Sequence, residues 1–406
     1  MATPPTATTD AGSGNAELLE RARALFPLLR QNMAKTDQER RLPQENVDAL
    51  IEAGLFRTWM PRRYGGFEAD IKTGLRISAE LARGCPATGW NNSMMNAAGY
   101  LAWMLPVQGQ EEIISHDPAP RFAGVFTPKP EHPVRPVDGG YVISGKWPFA
   151  SGCLHSTWSM APAPLIQDGQ MVNALLLFAP SSEFEIIDDW YVLGMRGTGS
   201  NTLVANELFV PTHRTLNMMG PQGIIESVIP SEHRDSEALY RVPIGTLAGA
   251  VTGIAALGIA RAALEYVLEK LPSRTVSYST RIASQVVPNQ MLLAEAAHNV
   301  DLATFLFDRL GDDLYAAGVA GGPPEDVRLR ARMRNDAGYA VELCRRAVEA
   351  VVTVSGASSM REGSALQQWH RDMRTASLHG ASISLTTLEQ YGASLVGEQS
   401  DASFLL

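Results

Sequence analysis

The feature that most constrains this chain is where its hydrophobic period changes. Up to about residue 119 apolar residues recur at helical spacing. In "NAELLERARALFPLLRQNM" the stripe is Leu18, Ala22, Leu25, Leu29 and Met33, with a kink expected at Pro27. "LPQENVDALIEAGLF" reads as a helix opening near Pro43 and closing at Gly54; "TGLRISAELARG" and "TGWNNSMMNAAGYLAWML" read as two more. From about 120 to 215 the texture is that of short strands bounded by Gly, Pro and Asp: "RFAGVFTP", "GGYVISGKWPFA", "TWSMAPAPL", "MVNALLLFAP", "FEIIDDWYVL" and "NTLVANELFVP". Beyond about 241 the helical period returns, with Leu292, Ala296 and Val300 on one stripe and Val341, Cys344, Val348 and Val351 on another. Helices and strands are segregated, which predicts an α+β protein. Its expected parts are a disordered polar lead (1–15), an N-terminal helical domain (16–119), a β-barrel or sandwich domain (120–215) and a C-terminal four-helix bundle (216–406).

Composition narrows the function. The formal net charge of -9 leaves no electrostatic footprint for nucleic acid or an anionic membrane. Arg328, Arg330, Arg332 and Arg334 point several ways on a helix and read as a solvated face. Cys85, Cys153 and Cys344 are far apart and odd in number, so neither a disulfide framework nor a zinc site is supported, and a reduced, cytoplasmic setting fits. The polar "MATPPTATTDAGSGN" has no apolar core of a secretory signal. One uncharged run, Pro243 to Ala260, mimics a membrane span, but its apolar content is mostly Ala and Gly; it predicts a buried helix closely packed by neighbours.

Three stretches bear on chemistry. "GMRGTGS", Gly194 to Ser200, is Gly-rich but lies between strands rather than between a strand and a helix; a tight turn explains it better than a phosphate cradle. "SGKWPFASGC" sets Trp147 and Phe149 before Ser151, which would suit one wall of a flat heterocycle and would equally suit core aromatics before a turn. "RDMRTASLHGA" reads as the start of a helix, with His379 on the same side as Ala376 and Ile383.

With "CPATGW", "GGYVISGKWPFASGC", "WYVLGMRGTGSNTL" and "WHRDMRTASLHG" in this order, the chain resembles the acyl-CoA dehydrogenase fold from about residue 15 to its end. More closely, it resembles that superfamily's oxygenase branch, the flavin-dependent monooxygenases of two-component systems. In many acyl-CoA dehydrogenases the helix that opens with Arg-Asp-Ala leads to Tyr-Glu-Gly, whose Glu removes the substrate's α-proton. Counted from Arg371 and Asp372, this chain has His379 in place of that Tyr and Gly380 in place of that Glu. Other dehydrogenases carry the Glu on the first helix of the bundle, and Val242 to Leu264 contains no Asp or Glu. α,β-Dehydrogenation needs such a base, so a dehydrogenase or oxidase is disfavoured.

The resemblance implies reduced flavin, FMN or FAD, delivered by a separate reductase. Oxygen would react at the flavin C4a carbon to give a hydroperoxide, whose distal oxygen would hydroxylate a small aromatic or heteroaromatic substrate. Transfer to an amine nitrogen or a thiophene sulfur is the alternative. The resemblance further assigns Ser151 to flavin N5, Trp147 to the ring's flank and Thr127 to its pyrimidine side. Arg274 is a candidate for the flavin phosphate, or a surface arginine capping a helix. His379 is assigned as acid/base. Trp90, Asn92 and Asn96 are placed on a substrate-facing helix, where the two asparagines could equally be solvated or internally bonded. A homotetramer is implied by the fold.

Overall fold

A computed structural model describes residues 11–129, 131–220, 223–224 and 238–402. The sequence also predicts a loop at 216–241 that helps shape the pocket; of it, residues 221–222 and 225–237 lie outside the described residues. Seven helices come first: α1 (Ala11–Ala24), α2 (Phe26–Gln31), α3 (Met33–Glu39), α4 (Gln44–Glu52), α5 (Ile71–Gly84), α6 (Pro86–Ala102) and α7 (Val107–His116). α1 begins inside the stretch expected to be disordered, and Asn15 ties it to Asp70 at 2.5 Å. Where the sequence predicts a kink at Pro27 the helix breaks outright: Pro27 sits in the first turn of a separate α2, where its missing N–H costs nothing.

Ten strands follow among the described residues, the last two a short pair at Met219–Gly220 and Gly223–Ile224; the eight before them are β1 (Phe122–Gly124), β2 (Arg135–Val137), β3 (Gly140–Trp147), β4 (Trp158–Gln167), β5 (Gln170–Pro180), β6 (Glu185–Ile187), β7 (Thr202–Pro211) and β8 (Thr215–Asn217). These eight form two four-stranded sheets, ordered β1-β4-β5-β8 and β2-β3-β7-β6. The first sheet is buried on both faces, and the two-residue period divides them. Trp158 and Met160 of β4, with Ala174, Leu176 and Phe178 of β5, join the helical core. Their neighbours Ala161, Ala163, Leu175, Leu177 and Ala179 face the second sheet, where they meet Ile143, Trp147, Leu203 and Val210. A near-continuous apolar run is what such two-sided burial demands.

The C-terminal helices are α8 (Ile244–Lys270), α9 (Val287–Ala320), α10 (Val327–Ser355), α11 (Ala365–Ala376) and α12 (Ser384–Leu395). Three are long; the remainder of the bundle is shared between two 12-residue helices. α8 is long and apolar enough to cross a membrane, yet 89% of its apolar window is buried inside the protein. Small residues permit that burial: a Cβ at Gly258 would stand 2.2 Å from Ala79 O of α5, and one at Gly253 would stand 2.9 Å from Val341 Cγ2 of α10.

Candidate active site

The chain leaves β3 in a strained turn. Phe149 has φ 71° and Gly152 φ 77°. Ala150 N–H donates to Asn201 O and Gly152 N–H to Thr198 O, at 3.2 and 3.1 Å, which docks this turn on the β6–β7 loop. Gly152 faces α6 so closely that a Cβ would meet Met95 Sδ at 2.8 Å. Phe149 cannot claim glycine's freedom, and its left-handed backbone costs about 1–2 kcal/mol. It is nonetheless 65% exposed, with only Trp190 edge-on at 5.7 Å between centroids.

Ser151 is at the inner end of this turn. Its Oγ accepts from Trp90 Nε1 of α6 at 3.0 Å and lies 2.8 Å from Ser200 Oγ; Ser200 Oγ lies 2.7 Å from Thr198 Oγ1, which donates to Met195 O at 2.8 Å. On the other side of Trp90 is His379, with ring centroids 5.7 Å apart. Serine, indole and imidazole therefore form one group drawn from three distant segments.

His379 is not on the apolar stripe of a helix. α11 ends at Ala376, and His379 occupies the turn before α12, its backbone N–H reaching Ala376 O at 3.3 Å. The neighbouring glycine interrupts no helix, because none is there. Ala381 N–H donates to His379 Nδ1 at 3.2 Å, so the neutral ring carries its proton on Nε2. Burial pulls the imidazole down, to about 4. The residue is also exposed on one side; water reaching that face offsets part of the depression, while the Ala381 N–H opposes protonation at Nδ1.

Asp372, one turn before the end of α11, holds the frame together. It is 2% exposed, accepts from Met195 N–H at 2.5 Å, and is lifted by burial to about 7. That bond fixes Met195 in the left-handed region, at φ 57°, and with it the loop that carries Thr198 and Ser200. The loop is further pinned by Arg371, whose guanidinium donates to Leu193 O. Among the described residues no Asp or Glu hydrogen-bonds to Ser151, Trp90 or His379, and no cluster of His, Cys, Asp and Glu could hold a metal. The three cysteines are buried; burial pushes Cys153 and Cys344 up to about 12, which removes them as nucleophiles at neutral pH.

Several expected positions need correction. Trp147 cannot flank a bound ring: it is 1% exposed in the core between the two sheets, edge-on to Phe184, with its indole N–H bound to Pro162 O at 2.8 Å. Phe149 is the open aromatic of that motif. Asn92 and Asn96 are two and six residues from Trp90, so at 100° per residue they are turned about 160° and about 120° from it around α6. Asn92 is bound to Leu55 O at 2.8 Å and Ser78 Oγ at 3.1 Å; Asn96 to Leu55 O at 2.9 Å and Thr58 N–H at 3.2 Å. They staple α6 to the segment after α4 and are buried there, 0% and 6% exposed. Arg274 donates to Ser358 Oγ at 3.2 Å beside a cavity of about 250 Å³ also lined by Ser355 and Ser359. It cannot serve this site from the same chain: Gly249 of α8 packs on Ala381, and the helix from there to Lys270 alone spans about 30 Å. A second cavity of about 250 Å³, between α1, α5, α8 and α9, also lies away from Ser151. Thr127 is exposed beyond β1, with no hydrogen bond to the Ser151 group.

The residues not singled out from sequence are Asn91, Thr198 and Ser200. Asn91 Nδ2 donates to Thr198 O at 3.2 Å, while its buried Oδ1 has no partner. Thr198 and Ser200 were hidden in "GMRGTGS" because a tight turn accounts for the glycines; the hydroxyls on alternate positions were the available signal.

Two helical parts around a β sandwich, with a Ser–Trp–His group where they meet, define a protein of the acyl-CoA dehydrogenase fold without that enzyme's carboxylate base. The N-terminal domain of acyl-CoA dehydrogenase matches residues 17–115, and an acyl-CoA dehydrogenase C-terminal domain matches residues 250–382. The oxygenase subunit HsaA of a flavin-dependent monooxygenase from Rhodococcus jostii (strain RHA1) is 30% identical over 381 residues, 93% of this chain and 98% of that protein. The oxygenase component of p-hydroxyphenylacetate 3-hydroxylase from Acinetobacter baumannii is 27% identical over 392 residues, 96% of this chain and 91% of that protein. The structure of XiaF from Streptomyces sp. in complex with FADH2 and glycerol superposes with a TM-score of 0.88 at 29% identity, covering 96% of this chain and 97% of that one. The chain belongs to the family of flavin-dependent monooxygenase oxygenase subunits.

Proposed function

We propose that this monooxygenase takes reduced FMN or FAD from a separate reductase and uses O2 to hydroxylate a small aromatic or heteroaromatic compound. The observation that carries the reading is the Ser151–Trp90–His379 group, which offers hydroxyl, indole and imidazole and no carboxylate. A base able to strip a carbon-bound proton is what dehydrogenation would need. The named p-hydroxyphenylacetate 3-hydroxylase supports a phenol-like substrate.

The residues fit a flavin. Exposed Phe149 supplies an apolar face, and Ser151 keeps one lone pair unspent for a ring N–H. Thr127 would meet the pyrimidine side. Bound reduced flavin supplies the electrons that activate O2 for insertion of one oxygen atom. Trp90 separates the Ser151 and His379 sides and forms the wall against which a substrate ring lies. His379, neutral and protonated on Nε2, donates that hydrogen toward the substrate oxygen or the oxygen being transferred.

We also infer a homotetramer working in the cytoplasm. Exposed Met291 and Phe305 on α9, and Leu385 and Leu388 on α12, need cover. Arg274, too far from its own Ser151, would reach a phosphate of a neighbouring subunit's flavin.

The test is to mix protein with reduced FMN or FAD and then with oxygenated buffer in a stopped-flow spectrometer. The expected result is a long-lived absorbance phase before oxidised flavin returns, with hydroxylated product when a phenol is present. Immediate oxidised flavin with stoichiometric peroxide, with or without phenols, would overturn the reading.

A further inference from the structure

We propose that Thr198, Ser200 and Ser151 form a one-way hydroxyl chain that fixes Ser151 as a hydrogen-bond acceptor toward the cleft, so that the site selects a flavin whose N5 carries a hydrogen. The inference rests on the flavin reading above, and goes beyond it by naming the two positioning residues that set the preference.

The direction of the chain follows from its ends. A carbonyl oxygen only accepts, and Met195 O takes three donors, Trp190 Nε1 and the Thr198 backbone N–H at 3.1 Å each and the Thr198 hydroxyl nearest at 2.8 Å, so the Thr198 hydroxyl hydrogen points at that oxygen. Thr198 Oγ1 is then an acceptor toward Ser200, 2.7 Å away, and Ser200 spends its hydrogen there. Ser200 in turn accepts from Ser151 at 2.8 Å. At the other end an indole N–H only donates, so Trp90 fills one lone pair of Ser151 Oγ at 3.0 Å. Each hydroxyl has one hydrogen and two lone pairs. Ser151 is left with a single lone pair and no hydrogen for a ligand.

Reduced flavin carries N5–H and matches that lone pair. Oxidised flavin presents an N5 lone pair, which would meet the Ser151 lone pair with nothing between. The anchors are firm: Ser200 and Thr198 are 4% and 2% exposed, and Met195 is held by Asp372. Water therefore has no easy access with which to reverse the chain. An oxygenase supplied by a diffusing reductase gains directly, because spent flavin is released and fresh reduced flavin retained.

The experiment is anaerobic titration of the whole enzyme with reduced and with oxidised FMN or FAD, following flavin fluorescence or absorbance, for wild type and three variants. Wild type should bind the reduced form at least about tenfold more tightly. Thr198→Val keeps the shape but removes the sink for the Ser200 hydrogen. Ser200 must then donate back to Ser151, whose own hydrogen turns into the cleft, and the preference should fall about tenfold. Ser200→Ala frees the Ser151 hydrogen in the same way and should do the same. Thr198→Ser retains the hydroxyl and should restore the wild-type ratio. The midpoint potential of bound flavin gives a second readout: loss of a tenfold preference lowers it by about 30 mV for a two-electron couple. Equal loss of both affinities in Thr198→Val would show a merely structural role and sink the proposal. An unchanged ratio in both Thr198→Val and Ser200→Ala would do the same, as would wild type binding both forms alike. Wild type binding neither form would instead remove the flavin reading itself, and this inference with it.

Discussion

Asp372 gives a sharp test of how the two sides of the site are joined. Burial lifts its carboxyl to about 7 against the pull of the Met195 N–H, which favours the ionised form. In the unfolded chain an aspartate titrates near 3.9. The folded pKa is thus raised, so this group's contribution to stability is fully present below about pH 4 and is lost as pH rises through about 7. The whole shift of about 3 units corresponds to roughly 4 kcal/mol; between pH 5 and pH 9 about two of those units are traversed, or roughly 3 kcal/mol. Asp372→Asn retains an oxygen for Met195 N–H and does not titrate. For 406 residues the unfolding entropy is about 0.85 kcal/mol/K, so the variant's Tm relative to wild type should rise by about 3 °C from pH 5 to pH 9. Subtracting wild type at each pH, at one scan rate and without flavin, cancels the other titrating groups. A difference that is flat with pH, or that moves the other way, would mean the carboxylate is ionised throughout and that the Met195 bond, not burial, governs it.

Other outcomes follow from the same contacts. Asn92→Ala should cost about 1 kcal/mol, since two buried hydrogen bonds are lost while Leu55 O keeps Asn96 and Thr58 and Ser78 Oγ keeps Gly74 O, and should leave the Kd for reduced flavin unchanged in an anaerobic titration. Gly258→Ala should lower stability by about 2 kcal/mol in denaturant unfolding, because a Cβ 2.2 Å from Ala79 O forces α5 and α8 apart by more than the roughly 1 kcal/mol of added helix propensity offsets. Phe149→Gly should stabilise the protein by about 1 kcal/mol by relieving a positive φ, read as a higher Tm, while weakening reduced flavin about tenfold in the same titration.

The sequence carried the frame well because the frame rests on period. The strand-like stretch, the Ala- and Gly-rich α8 and the interruption at Pro27 each follow from the spacing of apolar or special residues, which local physics sets. Ser151, Trp90 and His379 came from a resemblance in motifs, and the structure brings them together. What stayed hidden were directions in three dimensions. Trp147 and Phe149 look alike on a strand, and only the turn that lifts φ of Phe149 to 71° decides which faces out. Asn92 shares a helix with Trp90 but not a face. The end of α11 at Ala376 was missed because Ser377 to Ile383 keeps an apolar spacing that a helix would also give. Thr198 and Ser200 act through hydrogen-bond direction, which no residue pattern encodes.

That correction at α11 changes what His379 can do, and the difference can be measured. On a helix its ring would be free to adopt either tautomer; in the observed turn Nδ1 is engaged by Ala381 N–H, and only Nε2–H faces outward. A base needs a vacant lone pair within reach of the proton it takes, and this ring offers a hydrogen instead. Burial pulls the imidazole down, so the native state also prefers it neutral: stability is lost as pH falls below about 6.5, and the donor is intact throughout the neutral range. Product yield per reduced flavin should therefore be flat between pH 6 and pH 8, where an ordinary histidine base would switch on. His379→Gln, whose side-chain amide places an N–H near the position of Nε2, should retain a substantial part of that yield, whereas His379→Ala should lose about tenfold or more with flavin affinity little changed. If the yield instead rises through an apparent pKa near 6.5, and Gln is as poor as Ala, the proton is being accepted and the Ala381 contact must break during turnover.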